Sequence, residues 1–257
     1  MIAGPPRAVK TVRALRWGLF GIALALASLF IAWRALAAVD FAYPLLYDAL
    51  SIDATIARYG PENHVRPRFQ ITDRAERERL FGAIVDAVRH DGRGLRALVY
   101  QAPDGHAIGR LLTPAEIEHL DDVSRLVAGF ERLGWIALLV TAALLAAAAL
   151  RREPLPRARA FGAGGLLVVG AGAAVTFALG PVTVFYWLHE HIFPPGHQWF
   201  FYYQESLMSM MMQAPNLFGA IAALWVALAA AVFAGGLCAA RALLRRGADR
   251  RSAGDAR

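Results

Sequence analysis

The chain has 257 residues, of which 57% are hydrophobic, and a formal net charge of +7 at pH 7. This proportion of apolar residues is too high for an ordinary soluble protein of the same length. The single cysteine, Cys238, excludes an intramolecular disulfide and a metal site built from several thiolates.

Four apolar stretches account for the excess of hydrophobic residues. Each is close to the ~20 residues that a helix needs to cross a hydrocarbon core of about 30 Å. The first stretch contains one charged residue, Arg34, and the other three contain none. We therefore predict an α-helical integral membrane protein with four transmembrane helices. These helices cover residues 17–39, 133–150, 160–188 and 217–240.

The first apolar stretch has an alternative interpretation as a cleaved signal peptide, because Ala35-Leu36-Ala37 resembles a cleavage site. Its apolar run is longer than the usual core of a signal peptide, and Arg34 stands directly before that site. A retained transmembrane helix is the favoured interpretation.

Basic residues are concentrated in three of the segments that flank the helices: residues 1–16, 151–159 and 241–257. The loop at 189–216 has no lysine or arginine. The positive-inside rule predicts that the three basic segments are cytoplasmic. A domain at 40–132 and the loop at 189–216 are then extracytoplasmic. Anionic lipid is the expected partner of the basic segments, and no nucleic-acid-binding module is recognisable.

Residues 40–132 are numerous enough to form a small folded cap domain. Asp73 and Glu76 have the spacing of a helix start, and apolar residues at helical spacing follow as far as Val88. Two apolar segments on either side of Pro103-Asp104-Gly105 predict a β-hairpin. The cap is therefore expected to be α+β.

A second helix start precedes the second transmembrane helix. Thr113 and Glu116 can form a capping box, with Pro114 in the first turn. His119 and Asp122 follow, and their spacing of three places both on one face of the helix. Asp122 can then orient the imidazole of His119. The alternatives are that His119 is a solvated surface residue and that Asp122 pairs with Arg125.

The loop at 189–216 contains histidines, aromatic residues and methionines. Tryptophan and tyrosine favour the headgroup level of a membrane, and methionine suits contact with acyl chains. Alternatively, the histidines could be ligands of a zinc ion. However, no helical i, i+4 pair and no HExxH motif occurs, so we predict no metal site. The residues concerned are His189, His191, His197, Trp199, Phe200, Phe201, Tyr202, Tyr203, Met208, Met210, Met211 and Met212.

Two segments together resemble a known family. The string LTPAEIEHLDDV, which ends at Val123, resembles the pattern Glu-Ile-x-His-hydrophobic-x-Asp-Val before the second transmembrane helix of the bacterial lipoprotein intramolecular transacylase family. The string FYWLHEHIF, followed by Trp199 and by Pro215 with Phe218, resembles the second outer loop of that family. The order of helices, cap and loops also agrees over nearly the whole chain.

The resemblance implies an acyltransferase that makes lyso-form lipoproteins by His-based general acid and base catalysis. The implied catalytic residues are His119, His189 and Asp122, with His119 as the base and His189 as its partner; the reverse assignment stays open. Weaker candidates for binding substrate are Trp199, Arg34, Tyr43 and Glu205, the last standing where the family has aspartate. No cofactor and no metal is implied. The expected partners are diacylglyceryl-modified lipoproteins and membrane lipids, with no nucleic acid and no required protein partner.

The expected location is the bacterial cytoplasmic membrane, with both termini cytoplasmic and the active site outside. A rival hypothesis from another class is a non-enzymatic lipid-binding or assembly accessory protein that uses the cap and the aromatic loop for docking. It explains the aromatic and methionine residues equally well, but not the two histidines at matching motif positions.

Overall fold

The computed structural model describes residues 7–157, 161, 170–172 and 174–255, with side chains for all of these except 7–10 and 246–255. Nine helices and a two-stranded sheet are found in this part of the chain, together with short 3-10 turns. The helices are α1 (Arg7–Ala37), α2 (Tyr43–Ala49), α3 (Ile52–Tyr59), α4 (Arg74–Arg89), α5 (Pro114–Leu150), α6 (Gly170–Leu179), α7 (Pro181–Ile192), α8 (Leu207–Met211) and α9 (Asn216–Asp255), and the strands are β1 (Val99–Gln101) and β2 (Ala107–Arg110).

Three helices in the described part of the chain are long and apolar enough to cross a membrane: Thr11–Ala37 of α1, α5, and Asn216–Arg245 of α9. A fourth span is present if the bent pair α6 and α7 counts as one. The predicted fold class, an α-helical integral membrane protein with a small α+β region, is confirmed.

The third predicted span, 160–188, is interrupted in its described part between α6 and α7. Gly180 has a φ of +84°, and Pro181 begins α7 without an N–H to donate. A proline at the first helical position disfavours helical backbone at the residue before it, so the sequence Gly-Pro starts a new helix here. Residues 160, 162–169 and 173 of this prediction lie outside the described residues.

Two compact units make up the fold. The span unit comprises Met1–Trp33, Glu131–Val175 and Trp225–Arg257, and the site unit comprises Arg34–Phe130 and Thr176–Leu224.

In the span unit, aromatic residues of α1 pack against the other long helices. Trp17 and Phe20 make an edge-to-face pair with ring centroids 5.4 Å apart, in a cluster with Ala148 of α5 and Leu237 of α9. Trp225 of α9 donates its indole N–H to the carbonyl of Leu29, at 2.8 Å. Such pairs add specific geometry to the packing of apolar surface.

A glycine allows α1 and α5 to approach closely inside the span unit. A Cβ atom added at Gly134 would lie 2.2 Å from Cγ of Phe30 and 2.6 Å from its Cβ. Phe30 cannot move aside easily, because it is buried and packs edge-to-face on Trp135 with centroids 5.1 Å apart. Small residues at helix contacts let the backbones of membrane helices come together in this way.

The site unit has its own core, built around two tyrosines of α2. Tyr43 stacks on Phe81 of α4 with centroids 4.0 Å apart, and its hydroxyl donates to the carbonyl of Met211 at 2.8 Å. Tyr47 accepts a hydrogen bond from the buried guanidinium of Arg77, at 2.6 Å. The core of the site unit therefore combines stacked apolar rings with polar groups that are hydrogen-bonded.

The predicted cap elements are present, with one difference. Asp73 caps α4 by accepting from the N–H of Glu76, and α4 ends before Gly92 as expected. The hairpin pairs Tyr100 with Gly109, but residues 95–97 form a 3-10 turn and not a strand. Its first strand is thus shorter than the apolar pattern indicates.

The methionine-rich segment packs inside the site unit. The residues of α8 and the residue after it are at most 6% exposed, including Met208, Met210, Met211 and Met212. The expectation that these methionines contact acyl chains is therefore wrong. An unbranched thioether also fills gaps in a core, and that is its role here.

The start of α5 is fixed by the predicted capping box. Thr113 donates its N–H to Oε2 of Glu116 at 2.6 Å, and Glu116 donates its N–H to Oγ1 of Thr113 at 3.3 Å. The second carboxylate oxygen of Glu116 accepts from the hydroxyl of Ser206, whose oxygen caps α8 by accepting from the N–H of Ser209. Glu116 is fully buried, and its carboxylate joins the start of α5 to the start of α8 through these hydrogen bonds.

Gly134→Ala is expected to destabilise the protein, whereas Gly129→Ala on the same helix is not. The added methyl at 134 forces Phe30 out of place, at a cost of about 1–3 kcal/mol. At Gly129 no atom lies within 4 Å of an added Cβ, so alanine should gain about 0.5–1 kcal/mol of helix propensity. Thermal unfolding of the two variants in detergent measures the difference. Equal melting temperatures would contradict the close approach at Gly134.

Glu116→Ala is expected to destabilise the site unit by about 1–3 kcal/mol, because it leaves the N–H of Thr113 and the hydroxyl of Ser206 without their acceptor. Hydrogen exchange of peptides covering 113–117 and 206–212 measures the effect. The control is Glu78→Ala, which removes only a partly exposed ion pair with Arg74, worth about 0–1 kcal/mol. Unchanged exchange in both peptides would rule out this role of Glu116.

Candidate active site

Two histidines of the site unit lie side by side. His119 belongs to the second turn of α5, and His189 belongs to the last turn of α7. Their ring centroids are 6.3 Å apart, and the ring planes are inclined by only 28°. One small functional group can therefore reach both imidazoles.

Aromatic rings surround this histidine pair. Phe193 contacts both members, with its centroid 4.8 Å from that of His119 and 5.2 Å from that of His189. Phe185 and Trp199 lie 3.9 Å and 5.0 Å from His189. Phe201 lies 6.0 Å from His119. The enclosure limits the access of water to the imidazoles and offers an apolar surface to a lipid chain.

The helix that carries His189 also sets its tautomer. Its Nδ1 lies 2.7 Å from the backbone carbonyl oxygen of Phe185, one turn earlier in α7. A carbonyl oxygen can only accept, so Nδ1 carries the proton in this contact. In the neutral ring the lone pair is then on Nε2, which is the form that a general base requires.

His119 has a different environment. Its Nδ1 is buried and has no hydrogen-bond partner among the described residues. The sequence predicts that Asp122 orients this ring, but the structure pairs the carboxylate of Asp122 elsewhere. One oxygen accepts from Arg125, as the alternative interpretation has it, and the other lies 2.7 Å from Nδ1 of His197.

Sequence reasoning did not assign Phe193, Phe201 or His197 to this site, and of these His197 is the ionisable residue. It stands in the segment after α7, and 75 positions separate it from Asp122. Its other ring nitrogen, Nε2, lies 3.6 Å from Glu118. A signal was available in the sequence: Glu118 and Asp122 are four apart on one helix face, where a pair of carboxylates favours a cationic partner.

The remaining predicted substrate-binding residues lie in different surroundings. Trp199 contacts His189 directly. Tyr43 lies in the core of the site unit, where burial raises the pKa of its hydroxyl and keeps it protonated. Glu205 is exposed, with its carboxylate 3.9 Å from Nε2 of His64. Arg34 stands in the last turn of α1 with an exposed side chain.

Within the described part of the chain, no three histidine, cysteine, aspartate or glutamate side chains gather in a way that could hold a metal ion. The chemistry that this site offers is proton transfer by imidazole beside an apolar surface.

The pKa of His197 is expected to lie above the ordinary value of ~6.5 for histidine. The hydrogen bond to Asp122 is the main cause, and the negative charges of Asp122 and Glu118 act in the same direction. A pH titration of histidine-labelled protein by nuclear magnetic resonance measures it, and His197→Asn identifies the signal by removing it. In Asp122→Asn the titration should move to lower pH. A midpoint unaffected by Asp122→Asn would show that the two side chains are not paired.

No protein-family model matches the chain, and no curated protein matches it by sequence. Among solved structures, the chain is similar to the membrane integral lipoprotein intramolecular transacylase Lit from Bacillus cereus, with a TM-score of 0.63 and 12% sequence identity. Structures of two variants of that protein, with one histidine replaced by arginine or by alanine, match equally well. The matches cover 95% of this chain and between 96% and 99% of the transacylase. The chain therefore has the fold of this membrane integral transacylase, as the resemblance in its sequence predicts.

Proposed function

We propose that this protein is an acyltransferase that moves an O-linked acyl chain of a diacylglyceryl-modified lipoprotein to the α-amino group of the same N-terminal cysteine. The observation that carries the proposal is the histidine pair, with ring centroids 6.3 Å apart inside an aromatic enclosure. The fold shared with a lipoprotein transacylase supports the same reaction class.

The reaction needs two proton transfers and no external reactant. The amine attacks the carbonyl carbon of the ester, a C–N bond forms, and one N–H proton passes to an imidazole. The C–O bond to glycerol then breaks, and the departing oxygen takes a proton from an imidazolium. The product is an amide on the cysteine and a free hydroxyl on glycerol, so every atom of the substrate is retained.

His189 is the better candidate for the base. An α-amino group has a pKa of ~7.7–8.0 and is largely protonated at neutral pH, so its attack requires a proton acceptor. The hydrogen bond from Nδ1 of His189 to the carbonyl of Phe185 favours a lone pair on Nε2. This assigns the roles in the reverse of the order favoured by the sequence, which had Asp122 activating His119.

His119 is suited to the partner role. Its ring centroid lies 6.3 Å from that of His189, so a substrate that gives a proton to one imidazole can take a proton from the other. As an acid it would protonate the glycerol oxygen or donate to the developing oxyanion. Transfer of a proton by a positioned group typically contributes about 10²–10⁴-fold to the rate.

The reaction is expected to need neither a cofactor nor a metal. Replacing an ester by an amide is favourable, and the amine and the ester belong to one molecule. The protein then has mainly to fold the substrate into a geometry of attack, a contribution that can reach several kcal/mol. The aromatic rings around the pair suit an acyl chain and limit the access of competing water.

We place the reaction at the outer face of the bacterial cytoplasmic membrane. The basic residues of 1–16, 151–159 and 241–257 favour cytoplasmic positions for these segments. The histidine pair belongs to the segments on the opposite side, where lipoproteins carry their diacylglyceryl groups. Lipoproteins and membrane lipids are the proposed partners.

His119→Ala and His189→Ala are each expected to lower the formation of lyso-form lipoprotein by at least about 100-fold, because each removes a proton-transfer group. Mass spectrometry of the N-terminal peptide of a reporter lipoprotein, from a bacterial host without N-acylation, detects the amide-linked chain. The control is His191→Ala, whose ring is bonded to the backbone of its own helix and stacks on Trp187. This control should keep normal activity.

Two results would overturn the proposal. One is full activity in either of the two alanine variants when their membrane insertion is normal. The other is an unchanged diacylglyceryl peptide in cells that produce the folded, unmodified protein; that result favours the non-enzymatic accessory role.

A further inference from the structure

The segment between α7 and α8 supplies most of the rings that surround the histidine pair. We call residues 193–201 the aromatic segment, because Phe193, Trp199 and Phe201 within it contact the imidazoles. It has no helix or strand of its own. Its position must therefore be held by side-chain contacts to the elements beside it.

A tight turn presents His197 on this segment. The N–H of His197 donates to the carbonyl of Pro194 at 3.2 Å, and Gly196 has a φ of +88°. The two prolines and the glycine before His197 restrict the backbone of the turn to few conformations. The direction in which the imidazole leaves the segment is thus well defined.

The imidazole of His197 meets a carboxylate of α5 that is withdrawn from solvent. Asp122 is 5% exposed, and its two oxygens are taken by Arg125 and by Nδ1 of His197. If Asp122 lost one of these two partners, a buried carboxylate oxygen would be left without a hydrogen bond, which costs free energy of folding. The contact between Asp122 and His197 is therefore stabilised by burial. Asp122 lies three residues after His119, on the helix that carries half of the histidine pair.

Charges on several elements face His197. Glu118, Asp122 and Arg125 belong to α5, and Arg96 belongs to the 3-10 turn before β1. His197 and these groups border an open cleft of about 470 Å³, lined by Arg96, Pro114, Ala115, Glu118, Asp121, Arg125 and His197. Two of the nearby carboxylates lie within 4 Å of the imidazole itself, and the guanidinium of Arg125 is directed to Asp122.

We propose that His197 is a positioning residue of the histidine pair: by donating from Nδ1 to Asp122, it ties the aromatic segment to α5 and keeps Phe193, Trp199 and Phe201 around His119 and His189. This inference rests on the proposed function, because it assigns the tie a part in that reaction. His197 acts through the rings that it holds and has no proton-transfer role.

The strength of this tie, meaning the contact of His197 with Asp122, depends on pH in a defined direction. The protonated imidazole is attracted by both Asp122 and Glu118, which is why its pKa is raised. Once neutral, the ring can still donate from Nδ1, but its Nε2 lone pair then faces the carboxylate of Glu118. The tie is therefore at full strength below about pH 6.5, the ordinary pKa of histidine, and weakens as the pH rises through the raised pKa.

Three variants of the full chain test the proposal. His197→Ala removes the tie, and His197→Asn keeps it, because an asparagine amide can take the place of Nδ1 while lacking a titratable ring. His191→Ala is the matched control from the same part of the chain. Two quantities are measured across pH 6 to 9. One is the protection of peptides within 193–201 against hydrogen exchange, relative to the intrinsic exchange rate at each pH. The other is the rate of acyl transfer to a synthetic diacylglyceryl lipopeptide in detergent.

We expect His197→Ala to speed exchange in the aromatic segment and to lower kcat by about 10- to 100-fold, since small misplacements in an active site cost that much. The Michaelis constant should change less than kcat. His197→Asn should restore both quantities at neutral pH, and the protection of its aromatic segment should no longer fall with rising pH as that of the unmodified protein does. His191→Ala should match the unmodified protein.

Different results separate this inference from the proposed function. If the unmodified protein transfers no acyl chain, the proposed function fails, and with it the part assigned to His197. If transfer occurs but His197→Ala leaves kcat unchanged, the positioning role alone is overturned. Failure of His197→Asn to restore exchange and rate would also overturn it, because the hydrogen bond to Asp122 would then not be what matters.

Discussion

The buried carboxylate of Glu116 fixes where α5 begins, and the positions of His119 and Asp122 in the site depend on that start. Both of its oxygens are engaged, one by the N–H of Thr113 and one by the hydroxyl of Ser206. A shift of α5 by one residue would turn its side chains by about 100° around the helix axis. His119 would then face away from His189, and Asp122 away from His197. One satisfied buried charge thus sets the register of a helix that continues for 37 residues.

Much of the fold could be predicted from local chemistry. The caps at Asp73 and Thr113 follow from residue types at fixed spacing, and the long helices follow from their apolar composition. What could not be predicted depends on contacts between distant segments. Asp122 illustrates this point: the sequence offered two neighbours on its own helix, His119 and Arg125. Only the folded chain adds His197, and with it a second use for the carboxylate.

The histidine pair itself was foreseen through two short motifs, whereas its surroundings were not. No spacing rule relates Phe193 or Phe201 to His119, since the rings reach it through the irregular path of the aromatic segment. The prediction that the methionines contact acyl chains was also wrong, because a flexible apolar side chain suits a lipid surface and a protein core equally well. Their burial means that deleting that segment would damage the core of the site unit.

The acceptor that orients His189 is a peptide carbonyl and not a side chain, and this affects how the site tolerates sequence change. A carboxylate in that role disappears with one substitution, whereas the carbonyl at position 185 persists whatever residue stands there. Only a break in α7 between 185 and 189 would remove it. Sequence drift can therefore alter the ring at 185 and leave the tautomer of His189 intact, and a search for a partner carboxylate near this histidine would overlook how it is held.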